Sequence, residues 1–411
     1  MSLSAFATET PLPRRRSVHL PAALFGSGLG LLTVYLFSYA IDLHHLNDFY
    51  REAWPAYRLL LHGHFVAFLR ASPAYVGSLL LRAPFALLAG AFGPSAHGVY
   101  VATAIPCLLA PGLLAGYLAA QPRIASARSR GVGRRGLRPV DLFMLTPPAM
   151  IAVAGGHPED VLGGVLCVLA VLLACRGSGR AAGLVLALAL VNKSWALVAV
   201  PLVVALLPAN RRLAGIVTLV AVTGIVMVPV TAVRLSSTGS LGATLGDQTY
   251  KIFLTPQLLW WFGRNSWVVR EAHILLVLVD WLVTGCWWYL RARGSKRRPS
   301  VRDALAILAL VLFLRAALDP WDNGYYLTPF MLAVTVYEDP PGFPKLTWLF
   351  AIAIPVIVPP FGALHNLGAN GRAAVFTAFA LITIAWFGRL AFNPRRPPDA
   401  AAQAAATGSP S

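Results

Sequence analysis

The stretch LPAALFGSGLGLLTVYLFSYAI, residues 20–41, decides the class of the chain. It carries no charge and is close to the ~20 residues that a helix needs to span a hydrocarbon core. Apolar runs of about 15 to 24 residues recur from there to residue 391, so the expected fold is all-α, a polytopic membrane protein with about eleven to thirteen transmembrane helices. The runs are continuously apolar and rich in Leu and Ala, whereas the strands of a barrel would alternate with period two. Composition agrees: the chain is 57% hydrophobic and 12% charged, against roughly half and a quarter in soluble domains.

Arg14–Arg16 precede the first run, and Ser38-Tyr39-Ala40 has the small-x-small form of a signal-peptidase site. The run exceeds the 7–15 residues of a typical signal-peptide core, so it is read as a retained helix. Residues 1–19 are then a cytoplasmic segment, 20–392 the membrane domain, and 393–411, PRRPPDAAAQAAATGSPS from Pro394 onward, a disordered cytoplasmic tail. Cys107, Cys167, Cys175 and Cys286 all lie in apolar runs, without metal-ligand spacing, and read as small core hydrophobes.

The net charge of +18 sits in short loops: Arg123, Arg128, Arg130, Arg134, Arg135 and Arg138, then Arg176 with Arg180, Arg211 with Arg212, RARGSKRR (291–298), and Arg395 with Arg396. This is the pattern of cytoplasmic loops in a bacterial cytoplasmic membrane. The partner it implies is the lipid bilayer; nucleic acid is not expected, because no soluble domain exists to bind it. The remaining loops then face outward: 42–72, GGHPED (155–160), 235–273, DPWDNGYY (319–326) and HNLGANGR (365–372). One step of this alternation does not close. The runs 73–92 and 97–120 supply one crossing too many, and Arg82 marks the first as the weaker span, since a central arginine costs about 2.5–3.5 kcal/mol on insertion scales.

The outward loops hold the candidate chemistry. In NDFYREAWPAYRLLLHGH (47–64), Asp48 is set among Phe49, Tyr50, Trp54 and Tyr57. The segment is amphipathic enough to lie on the membrane surface, which would hold the acid against the bilayer, poised to take a proton from an acceptor hydroxyl. The plainer alternative is a solvated acid paired with Arg51. Lys193, in VNKSWAL, is flanked by apolar helix and must either snorkel or meet an anion. His157, Glu159 and Asp160 open an apolar run after Gly155-Gly156. They fit a helix start, with Pro158 at its first position and acids at its positive end, or ligands for sugar hydroxyls, or a divalent cation site. Asp319, Asp322 and Tyr325 lie in a loop that fits a cavity cap, although Asp-Pro and Asn-Gly also form turns.

Asp48-Phe49-Tyr50, Ala53, Arg58-Leu59-Leu60 and Gly63, directly after the first apolar run, resemble the first external loop of GT-C fold glycosyltransferases. The likeness is to the actinobacterial polyprenol-phosphate-mannose-dependent mannosyltransferases and their relatives, and extends to Pro73–Leu88, to 155–174 and to 183–206. The resemblance implies that an aspartate of this loop is the catalytic base. One residue of difference in the Asp48–Gly63 spacing leaves Asp42 as a rival. It also implies a sugar, mannose above all, passed with inversion from a polyprenyl-phosphate-linked donor to a lipid or envelope glycan acceptor. Tyr50, Trp54, Arg82, His157, Glu159, Asp160, Lys193, Arg264, Asp319 and Tyr325 would then bind substrate, with Lys193, Arg82 and Arg264 neutralising the departing phosphate. No metal and no cofactor are expected, and no P-loop or GxGxxG points to a nucleotide. The rival reading is a transporter or lipid flippase with Arg82, Lys193, Asp280 and Arg315 along its path.

Overall fold

The computed structural model of the chain describes residues 48–119, 149–150, 152–153, 155–238, 258–263, 266–294, 299–320, 324–338, 345–358, 364 and 366–392. The N-terminal segment 1–19, the run 20–41, Asp42, the basic loop 123–138, Arg264, Asp322 and the tail 393–411 lie outside them. All secondary structure among the described residues is helical. We number the main helices α1 (Trp54–Leu61), α2 (Phe65–Ala71), α3 (Val76–Ala91), α4 (Ala96–Ala119), α5 (Glu159–Cys175), α6 (Gly179–Asn192), α7 (Val200–Leu206), α8 (Ala209–Thr238), α9 (Ala272–Gly294), α10 (Val301–Ala317), α11 (Thr328–Tyr337), α12 (Lys345–Ile357) and α13 (Ala369–Phe392).

Four of these, α4, α8, α9 and α13, are long and apolar enough to cross a membrane. Periodicity alone does not say which helix lies inside, because a helix that is apolar all round is either a core element or a lipid-facing one. Packing separates the two kinds. Every residue of α10 from Ala304 to Ala317 is buried, as is every residue of α11. Along α8, Leu213 is 72% and Ile225 74% exposed. Contiguous apolar exposure on that scale fits a hydrocarbon solvent and not water. α10 and α11 are therefore the hub, with α5, α6, α7 and part of α13 packed on them in one core. A second core joins the segment after Asp48, from Phe49 to Leu69, to α3 and α4.

Close helix contacts place the functional segments. A Cβ on Gly183 would collide with the carbonyl of Gly215, so α6 and α8 meet backbone to backbone, as small residues permit in membrane helix pairs. A Cβ on Gly77 would likewise strike the carbonyl of Val191, which brings α3 against the end of α6. α3 itself has 16 residues and its Arg82 is buried within the protein. The cost expected of an arginine in lipid is thereby avoided.

Candidate functional site

Two breaks in apolar chain bring the polar residues together. After Val153 the chain turns through Gly156, whose φ of 86° suits glycine, while His157 N–H donates to the carbonyl of Ala152 at 2.8 Å. Pro158 then opens α5, with Glu159 and Asp160 in its first turn. No side chain caps this helix end; both carboxylates reach across to other helices, and its dipole favours their charge. The second break ends α6. Lys193 is extended, φ −151° and ψ 130°, before a 3-10 turn over Ser194–Ala199.

Asn192 ties the breaks together. Fully buried, it accepts from Ser78 Oγ on α3 at 3.1 Å and donates through Nδ2 to the carbonyl of Glu159 at 2.8 Å. The segment carrying Asp48 is held as directly, its backbone N–H donating to the carbonyl of Gly155 at 3.1 Å.

A continuous charged network results. His157 lies between two carboxylates, Nε2 at 3.2 Å from Asp48 Oδ2 and Nδ1 at 2.8 Å from Glu159 Oε1. Lys193 Nζ is 3.1 Å from Glu159 Oε1 and 3.6 Å from Asp160 Oδ2. Arg82 Nη2 lies 3.1 Å from Glu159 Oε2, and Trp195 Nε1 donates to Asp160 Oδ1 at 2.8 Å. Tyr75 and Tyr325 pack on the His157 ring, and Lys193 Nζ sits 4.1 Å over Tyr75. The network grades from buried to open: Glu159 is fully buried, the Lys193 side chain is 12% exposed and that of Asp48 37%.

Electrostatics sets the protonation of the centre. Burial and the Lys193 charge push the His157 imidazole down, but its hydrogen bonds to Asp48 and Glu159 and the charge of Glu159 prevail, raising it to about 8. This favours the imidazolium, whose two nitrogens face the carboxylates of Asp48 and Glu159. Three acids, Asp48, Glu159 and Asp160, then face three cations, Arg82, Lys193 and His157. Buried charges persist only when compensated in this way.

His157, Glu159 and Asp160 can bring one ligand atom each within 4.8 Å of one another. Their disposition does not fit a divalent cation. Both oxygens of Glu159, both of Asp160 and both nitrogens of His157 already face a cation, an N–H or a carboxylate. A metal would have to displace Lys193.

Of the residues singled out in the sequence, Asp48, Arg82, His157, Glu159, Asp160, Lys193 and Tyr325 meet here. Asp48 and Lys193 belong to one network, joined through His157 and Glu159. Asp319 lies elsewhere, 3.3 Å from His273 Nε2 and 3.9 Å from Arg315 Nη2. Tyr50 and Trp54 pack against the second core. Tyr75, Ser78, Asn192 and Trp195 were not anticipated; only the Asn192-Lys193 pair, polar in an apolar run, carried a signal. Comparison with family models, curated proteins and solved structures finds no match for the chain.

Proposed function

We propose that the chain is a GT-C-like membrane glycosyltransferase with about eleven to thirteen transmembrane helices. It transfers a sugar, mannose by preference, from a polyprenyl-phosphate donor to a lipid or envelope glycan acceptor on the outer face of a bacterial cytoplasmic membrane. The observation that carries this reading is the hydrogen bond between a half-open carboxylate, Asp48, and a buried imidazolium, His157. An outward-facing enzyme has no nucleotide at hand, and a donor carried on a membrane phosphate brings its own activation.

Asp48 acts as the base. With Oδ2 held by His157, Oδ1 takes the acceptor proton. The acceptor oxygen bonds to the anomeric carbon from the face opposite the phosphate, the old C–O bond breaks, and its electron pair leaves on the phosphate oxygen, giving inversion. His157 and Glu159 orient the base, and Lys193 and Arg82 hold Glu159. Because Lys193 already answers two carboxylates, the departing phosphate calls for a cation outside this network.

The test is Asp48→Asn in membranes supplied with a labelled polyprenyl-phosphate sugar. Loss of transfer by about a hundredfold or more is expected for removal of a general base. Unchanged transfer at equal expression rules Asp48 out, and Asp42→Asn in parallel examines its rival.

A further inference from the structure

A second group of ionisable residues lies between α9 and α10, beyond Trp195. Arg315, near the end of α10, is 5% exposed. Its guanidinium stacks 4.0 Å from the Tyr326 ring centroid and 5.1 Å from that of Trp195. Nε and Nη1 are buried and have no hydrogen-bond acceptor. Asp319 is 3.9 Å from Nη2, too far for a hydrogen bond, and also lies 3.3 Å from His273.

This state is costly. A guanidinium has five donors, and each buried donor left without an acceptor forfeits its hydration. The rings hold the group's plane in place and leave its edge free, which is the geometry that recognises a phosphate through paired N–H bonds. Asp280 on α9 is fully buried and has neither oxygen hydrogen-bonded. A phosphate monoester supplies anionic oxygens to a guanidinium.

The aromatic residues link this group to the first network. Trp195 bonds to Asp160, Tyr325 packs on His157, and Tyr325 and Tyr326 meet edge to face at 4.7 Å. We propose that Arg315 anchors a binding site for the phosphate group of a monoester, beside Trp195 and Tyr326. The site stands whether or not the chain transfers sugar. Its identification with the departing phosphate rests on the sugar-transfer reading.

The test uses the full chain in nanodiscs, with polyprenyl monophosphate and, separately, inorganic phosphate as probes, and follows binding by native mass spectrometry and tryptophan fluorescence. Wild type is expected to bind the lipid monophosphate. Arg315→Gln should weaken binding at least about tenfold, as expected for loss of charged hydrogen bonds, with Arg291→Gln as a control. Arg315→Lys keeps the charge and loses the fork; it provides the measurement if the Gln variant does not fold, and should also bind more weakly. Competition by inorganic phosphate identifies the phosphate itself as the recognised group, whereas binding of the lipid form alone adds recognition of its chain. No binding of either probe by wild type, or wild-type affinity in a folded Arg315→Gln or Arg315→Lys protein, overturns the site. Asp48→Asn should bind normally while losing transfer, so failure of the anion site and failure of the proposed base give different results.

Discussion

The two polar centres of this protein differ in how fully their charges are paired. Around His157 every charge has an ion-pair partner: Glu159 has Arg82, Lys193 and His157, and Asp160 has Lys193 and accepts from Trp195, although Arg82 Nη1, Glu159 Oε2 and Asp160 Oδ2 make no hydrogen bond. Around Arg315, the guanidinium stacks on two rings with two nitrogens unanswered, and Asp280 has no hydrogen bond. The contrast teaches what each centre is for. A network of paired charges fixes the geometry of its most open member, Asp48. A centre with open valences is suited to receive a polar guest.

Removing an acid should therefore have opposite effects in the two centres. Glu159→Ala, the largest effect, leaves Arg82, His157 and Lys193 without their common partner. It should lower stability by about 3–5 kcal/mol, as breaking buried pairs does, seen as a fall in the melting temperature of the detergent-solubilised protein. If the variant melts like wild type, the charges are not paired as described.

The next effect is a pH dependence of the first centre alone. His157 is raised from 6.5 in the unfolded chain to about 8 in the fold. Its contribution to stability is complete below pH 6.5 and is lost as pH rises through about 8. The difference is worth about 2 kcal/mol at 1.36 kcal/mol per pH unit. Denaturation profiles between pH 6 and 9 should show the loss, and His157→Gln should flatten it.

The smallest effect has the other sign. Asp280→Leu removes a buried acid that no hydrogen bond supports, and should leave the ligand-free protein unchanged or more stable by about 1 kcal/mol. A marked loss of stability would show that Asp280 is as firmly paired as Glu159, and the distinction between the centres would fall.

Much of this was legible in the sequence, and the physical reasons for the rest are specific. The all-helical, apolar character follows from uninterrupted hydrophobic runs, and the interruptions at GGHPED and VNKSW mark where polar groups sit. Arg82 illustrates the limit. In sequence it is an arginine stranded mid-helix, but in the fold its partner is Glu159, which no local pattern reveals. The meeting of Asp48 with His157 spans 109 positions and depends on the turn at Gly156.

Composition and run length by themselves determined that the chain is helical and suited to lipid, because an uncharged run near membrane thickness has few other stable solutions. Which apolar helices form the hub and which face lipid, and which acid meets which cation, was decided only by tertiary packing. Apolar helices look alike along the chain, and charge pairing is a matter of distance in space.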